Sequence, residues 1–235
     1  MLLSCQDSPL FLYINQSIYI SEFKKLQAAM DFQSEFSWLE LEELHAPTQS
    51  FAAVVGQRYC FPNSAQYRLE NEILSKSWII TEANGEVVFR VRGKKVDWYK
   101  SKRELVDENG KVVVYMEEKP WTIKNVWKAY SPGESEALFT LKSLSAFTCK
   151  PKVNIFLASN TAQKKPDYTI EGSFLAKKCL IYFGEELVTE VTREASLKNI
   201  LITKSIFNVI IHPGVDVAFI FSIIIIMDKI YVHDD

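Results

Sequence analysis

Hydrophobic residues keep two different rhythms along this chain. Near the C-terminal end, Val217-Ala218-Phe219-Ile220-Phe221-Ser222-Ile223-Ile224-Ile225-Ile226-Met227 is an almost unbroken apolar run between Asp216 and Asp228-Lys229. A surface helix keeps a polar face, so a run that is apolar all round belongs inside protein or lipid. Its 11 residues reach roughly 16 Å as a helix, short of the about 20 residues that a bilayer core requires. No transmembrane span is expected. Four successive isoleucines also suit a buried strand, which periodicity alone cannot separate from a buried helix. Punctuation favours a helix over 215–230. Pro213-Gly214 breaks the preceding segment, Asp216 can cap the first backbone N–H groups, and Lys229 sits near the negative end of the dipole.

Upstream, from about Phe51, the rhythm is that of short β-type runs divided by turn signals. Two stretches are close copies, Trp78 to Phe89 around Asn84-Gly85 and Leu105 to Val114 around Asn109-Gly110. Asn-Gly tolerates the positive φ of a type I′ turn, so each predicts a tight hairpin. Further hairpins are predicted across Ser131-Pro132-Gly133, across the polar loop from Ser159 to Pro166, and at Gly184. With Arg58 to Phe61, Gln66 to Leu69 and Ser205 to Ile211, the count is about a dozen strands.

A fully apolar helix needs apolar walls on every side, and these strands are the material available to build them. The predicted fold is therefore mainly β, a closed barrel of about 12 antiparallel strands around the buried C-terminal α-helix. The dimensions agree: about 12 strands at ~4.8 Å spacing and ~40° tilt give a radius of roughly 12 Å, enough for a helix about 10–12 Å across.

Residues 1–50 have a different texture. Phe23, Leu26, Met30, Phe36 and Leu39 give a partial helical stripe between Glu22 and Leu44, with Ser21 as its N-cap. The expected division is an N-terminal extension, 1–50, partly helical or disordered, and a barrel domain, 51–235. Charge follows the same division. The extension holds two lysines against seven acids, while the remainder carries 25 basic and 22 acidic side chains, a mild net of +3. That balance does not by itself imply nucleic acid. Cys5, Cys60, Cys149 and Cys179 lie far apart with no CxxC pair, as expected in a reducing compartment. The first residues lack the basic n-region of a signal peptide.

No catalytic pattern emerges. His45, His212 and His233 have no Cys or His at metal-ligand spacing, and there is no GxSxG, P-loop or GxGxxG motif. Neither an enzyme, a metal nor a cofactor is expected. One cluster stands out: Arg90, Arg92, Lys94, Lys95, Lys100, Lys102 and Arg103 fall within 14 residues against a single Asp97, with Trp98 and Tyr99 among them. If Val87, Phe89 and Val91 point inward, alternation turns Arg90 and Arg92 outward together. Such a cluster is either a solvated strand-and-loop surface or a contact for an anionic surface. Lys and Arg gain about 1 kcal/mol each near an acidic leaflet, and Trp and Tyr suit the headgroup level. Nucleic acid fits the mild domain charge less well.

Several ordered segments together resemble the plant LURP-one-related family: the two Asn-Gly hairpins, Lys152 to Thr161, Tyr168 to Phe174, and the close at Pro213-Gly214-Val215-Asp216-Val217-Ala218-Phe219-Ile220. The resemblance covers about residues 55 to 231. It implies a twelve-strand barrel around a central C-terminal helix, the fold of tubby C-terminal domains and phospholipid scramblases. It further implies kinship with phosphoinositide-binding domains and membrane-tethered transcription factors, with one plant relative associated with pathogen defence. Scramblases carry an acidic calcium loop before the last helix. Here Lys204 to Val209 contains no acid, which argues against calcium. Two partner classes follow: acidic phospholipid headgroups at the basic cluster, or protein partners in stress and defence met through the acidic extension. The implied location is cytoplasmic and peripheral at the plasma membrane, with the nucleus as an alternative.

Overall fold

The computed structural model describes residues 51–72, 77–97, 100–119, 125–143, 153–172, 178–194 and 206–231. All of them lie within one compact unit, Pro47–Asp235. The helix expected between Glu22 and Leu44 lies outside the described residues.

Twelve strands follow in order: β1 (Ala65–Glu72), β2 (Ser77–Glu82), β3 (Val87–Asp97), β4 (Lys100–Asp107), β5 (Val112–Lys119), β6 (Asn125–Tyr130), β7 (Ala137–Ser143), β8 (Val153–Leu157), β9 (Tyr168–Gly172), β10 (Lys178–Phe183), β11 (Glu186–Arg193) and β12 (Ile206–Ile211). Each pairs antiparallel with its chain neighbours, and β1 pairs with β12 to close the barrel. The single α-helix of the described residues, α1 (Val217–Tyr231), fills it. The expected closed barrel around a C-terminal helix is therefore the fold observed.

Residues Val217 through Asp228 of α1 are all buried. Phe219 meets the rings of Phe139 and Tyr168, with centroids 5.0 and 4.9 Å away, and Phe221 meets Tyr67 and Phe89 at 5.0 and 5.6 Å. These edge-to-face contacts add to the area buried. Ser222, the polar residue within the apolar run, bonds its hydroxyl back to the Ala218 carbonyl at 2.8 Å, so its burial leaves no orphan donor.

Two local expectations are corrected. The Asn-Gly hairpins form, but not as type I′ turns. Only Gly85 and Gly110 take positive φ, at 85° and 77°. Their N–H groups bond to the Glu82 and Asp107 carbonyls, and the ladder shifts register beside each turn. This is a type I turn closed by a left-handed glycine and a bulge. Side chains select it: Asn84 Oδ1 accepts the Glu86 N–H at 2.8 Å, and Asp107 Oδ1 accepts those of Asn109 and Lys111 at 3.1 and 2.8 Å.

The second correction concerns Arg58 to Phe61, which is not a strand. Gln57–Tyr59 forms one 3₁₀ turn, followed by an isolated bridge from Cys60 to Asp216. The chain here is a strap whose backbone finds its partner in a carboxylate instead of a neighbouring strand. The Val54, Val55 and Gly56 N–H groups donate to Asp216 Oδ2 at 3.1, 2.7 and 3.0 Å. Asp216 Oδ1 takes the Phe219 N–H at 3.1 Å, which is the helix cap expected from the sequence.

Candidate functional site

The basic cluster falls on the hairpin of β3 and β4. Register sets Arg90 opposite Val106, Arg92 opposite Glu104, Gly93 opposite Arg103, Lys94 opposite Lys102, Lys95 opposite Ser101 and Asp97 opposite Lys100. Along β3, Phe89 and Val91 are buried while Arg90 and Arg92 are exposed, so alternation places these two arginines on the outer face as expected. Arg92 reaches across to the β4–β5 turn. A Cβ added at Gly110 would meet its Nη2 at 3.3 Å.

The remaining cations do not behave alike. Lys102 lies on the outer face of β4 and pairs with Glu117 of β5, Nζ to Oε2 3.6 Å. Glu117 also binds Lys119. Such half-exposed pairs contribute little to stability, but they draw the Lys102 charge toward a carboxylate.

Arg103 shares the inward face of β4 with the fully buried Leu105. Its guanidinium occupies the space above Gly93, where an added Cβ would stand 2.9 Å from Nη1, and it donates to the Lys102 carbonyl at 3.1 Å. Burial pulls the guanidinium below its usual range, and the carboxylate of Asp228, near the end of α1, opposes that shift. Arg103 thus belongs with the helix and the barrel interior, apart from the outward set. Lys94, Lys95 and Lys100 have strand positions near the hairpin tip, while Trp98 and Tyr99 lie outside the described residues.

Sequence reasoning missed a second feature beside the hairpin. The outer face of β4 and β5 carries a groove of about 390 Å³ bounded by the β6–β7 turn. Glu104, Tyr115 and Tyr130 stand in one row across β4, β5 and β6. Its only sequence signal was the outward alternation of Lys102-Glu104 and Tyr115-Glu117.

The other candidate groups are chemically quiet. Burial lowers the His212 imidazole, with Glu190 and Glu186 acting against it. The His212 backbone N–H donates to the Val188 carbonyl at 3.0 Å. Among the described residues no group of His, Cys, Asp and Glu side chains could hold a metal ion, and no helix is long and apolar enough to cross a membrane.

The sequence of the barrel decides the relationship. A family model described as LURP-one-related matches residues 67–228, from within β1 to the last turn of α1. The chain belongs to the LURP-one-related family. Protein LURP-one-related 15 of Arabidopsis thaliana is 31% identical over 198 residues, covering 80% of this chain and 91% of that protein. Protein LURP1 of the same plant is 30% identical over 190 residues, covering 77% and 91%. An X-ray structure of a protein from Arabidopsis thaliana superposes with a TM-score of 0.60 at 26% identity, over 77% of this chain and 99% of that one. The strap at 51–60 precedes the LURP-one-related match, although it is bonded to Asp216 within it.

Proposed function

We propose that this LURP-one-related barrel is a non-enzymatic peripheral binding module, whose basic hairpin contacts acidic phospholipid headgroups, phosphoinositides included, during plant defence or stress responses. The observation that carries the reading is the joint exposure of Arg90 and Arg92 on one face of β3. Lys94, Lys95, Lys100 and Lys102 follow on the same hairpin. The strand pairing of β3 and β4 sets the backbone positions that carry this charge, so little backbone-ordering entropy opposes contact. At about 1 kcal/mol per basic residue near an acidic leaflet, four engaged side chains supply about 4 kcal/mol, enough for reversible attachment.

The test is sedimentation of the full chain with liposomes of graded phosphoinositide content at low and physiological salt. Binding that requires the acidic lipid, weakens with salt and is lost in an R90E/R92E/K94E variant supports the reading. Absence of binding at low salt, where screening is weakest, overturns it.

A further inference from the structure

A cavity of about 430 Å³ lies where the segment 61–64 enters β1 and faces the turn between β2 and β3. Its volume falls in the range of small-ligand clefts. Phe61 lines it, 40% exposed and one of two large hydrophobic side chains exposed among the described residues. The ring does not sit on a loose segment. The Phe61 carbonyl accepts the Gly214 N–H at 2.7 Å, and Ser64 Oγ donates to the Ile211 carbonyl at 3.2 Å. Backbone bonds to the start of the α1 region thus hold an uncovered aromatic ring beside the cavity.

The rest of the lining is polar but nearly without charge. Glu82 is its one acidic residue, and it contains no Lys or Arg. Tyr67 and Glu82 are register partners on β1 and β2. Tyr67 is 4% exposed and packs its ring on Phe221 at 5.0 Å. Burial first, and the Glu82 charge second, push its phenol up to about 12, so at neutral pH the phenol remains a hydrogen-bond donor. No hydrogen bond or ion pair with the described residues occupies the Glu82 carboxylate. Asn63 and Gln66 add exposed carboxamides. Asn84 Oδ1 is committed to the Glu86 N–H at 2.8 Å, which leaves its amide N–H groups to offer.

We infer that this cavity binds an uncharged sugar ring. Hydroxyl groups both donate and accept, and the carboxamides, the carboxylate and the phenol supply both kinds of partner. A pyranose also has an apolar C–H face, which stacks on an aromatic ring because the ring face is negative. Phosphate or carboxylate ligands would meet Glu82 with no cation in the lining to offset it. The anchored position of Phe61 limits the ordering cost of contact. The inference is independent of the acidic-lipid reading. β3 starts at Val87, beside the turn that lines the cavity, and ends at Asp97 near the basic hairpin tip, so strand rise separates the two places by roughly 30 Å.

The experiment titrates the full chain with the methyl glycosides of glucose, galactose and mannose and follows binding by saturation-transfer NMR. At least one should bind saturably in the millimolar range, with little dependence on salt, and its C–H protons should receive most of the saturation. Binding should persist in Phe61→Tyr and in R90E/R92E/K94E. It should weaken at least fivefold in Phe61→Ala and at least threefold in Glu82→Gln, with circular dichroism verifying that these variants fold. Vesicles of phosphatidylcholine with and without a galactolipid separate the sources: recruitment that free glycoside competes away assigns a glycolipid headgroup, and glycoside binding without recruitment assigns a soluble sugar, both supporting the site. Absence of saturable binding by all three glycosides, or equal binding by Phe61→Ala, overturns the proposal. Equally tight binding of butylamine, which has a positive charge and no hydroxyls, overturns the sugar assignment and makes Glu82 a cation site.

Discussion

Asp216 and Val55 stand 161 positions apart in the sequence, yet the Val55 N–H donates to Asp216 Oδ2 at 2.7 Å. The same carboxylate, 3% exposed, receives the N–H groups of Val54, Gly56 and Phe219. One side chain both starts α1 and fastens the strap that leads into the barrel. Replacement by Ala would strand up to four backbone donors in a buried setting, each costing about 1–3 kcal/mol where water cannot reach it. Asp216→Ala should lower unfolding free energy by about 3–5 kcal/mol in urea titrations. Hydrogen exchange at Val54 to Gly56 should accelerate more than in the strands.

Two glycines with similar φ make an internal comparison. Gly85 has φ +85° with nothing near a hypothetical Cβ, whereas Gly172 has φ +91° and would place a Cβ 2.6 Å from the Lys178 carbonyl oxygen. Gly85→Ala bears only the left-handed cost of about 1–2 kcal/mol. Gly172→Ala adds a backbone clash and should be the more destabilising by at least about 1 kcal/mol. Paired denaturation midpoints decide it.

Alkaline pH should weaken the fold. Burial pushes the Cys179 thiol from 9.0 up to about 12 and, as the larger cause, the Tyr67 phenol from 10.0 up to about 12. Between those limits the unfolded chain has lost protons that the folded chain retains. Stability therefore falls as pH rises from about 9 to 12, at up to about 1.4 kcal/mol per pH unit per group. Cys179→Ala should make that decline shallower between pH 9 and 11, as read from urea midpoints. Thiol reagents should modify Cys60, which is partly exposed, before the buried Cys179.

Arg103 and Arg92 should separate in a liposome assay. Arg92→Glu reverses an exposed charge on the outer face and should reduce binding to acidic vesicles with little change in stability. Arg103→Met removes the cation facing Asp228 and should lower stability by about 1–3 kcal/mol. Its vesicle binding, measured below the unfolding transition, should match the native chain.

Much of the fold could be read from the chain. An apolar run too short for a bilayer required walls, and β-type runs broken at Asn84-Gly85 and Asn109-Gly110 supplied them. Alternation around Phe89 and Val91 also oriented Arg90 and Arg92. What escaped were relationships between distant segments. Nothing near Val54 to Gly56 marks them as ligands of a carboxylate 160 to 162 residues away. Arg103 was grouped with its neighbours by charge, whereas its direction is set by alternation from Leu105 and by the space that Gly93 leaves opposite it. The groove was invisible for the same reason, since Glu104, Tyr115 and Tyr130 become neighbours only through register.

The helix that fills the barrel lies C-terminal to all twelve strands that enclose it. During synthesis the wall therefore leaves the ribosome before its contents. Inward-facing Leu69, Ile80, Leu105, Met116, Phe139, Leu141 and Ile155 have no apolar surface to pack against until α1 arrives, and an empty lumen of that size would leave them in contact with water. Closure of the β1–β12 seam and fastening of the strap on Asp216 both join segments distant in sequence, the class of contact that forms slowly. A chain halted at Gly214 lacks α1, so it is expected to leave those inward faces open to association until the residues through Tyr231 follow.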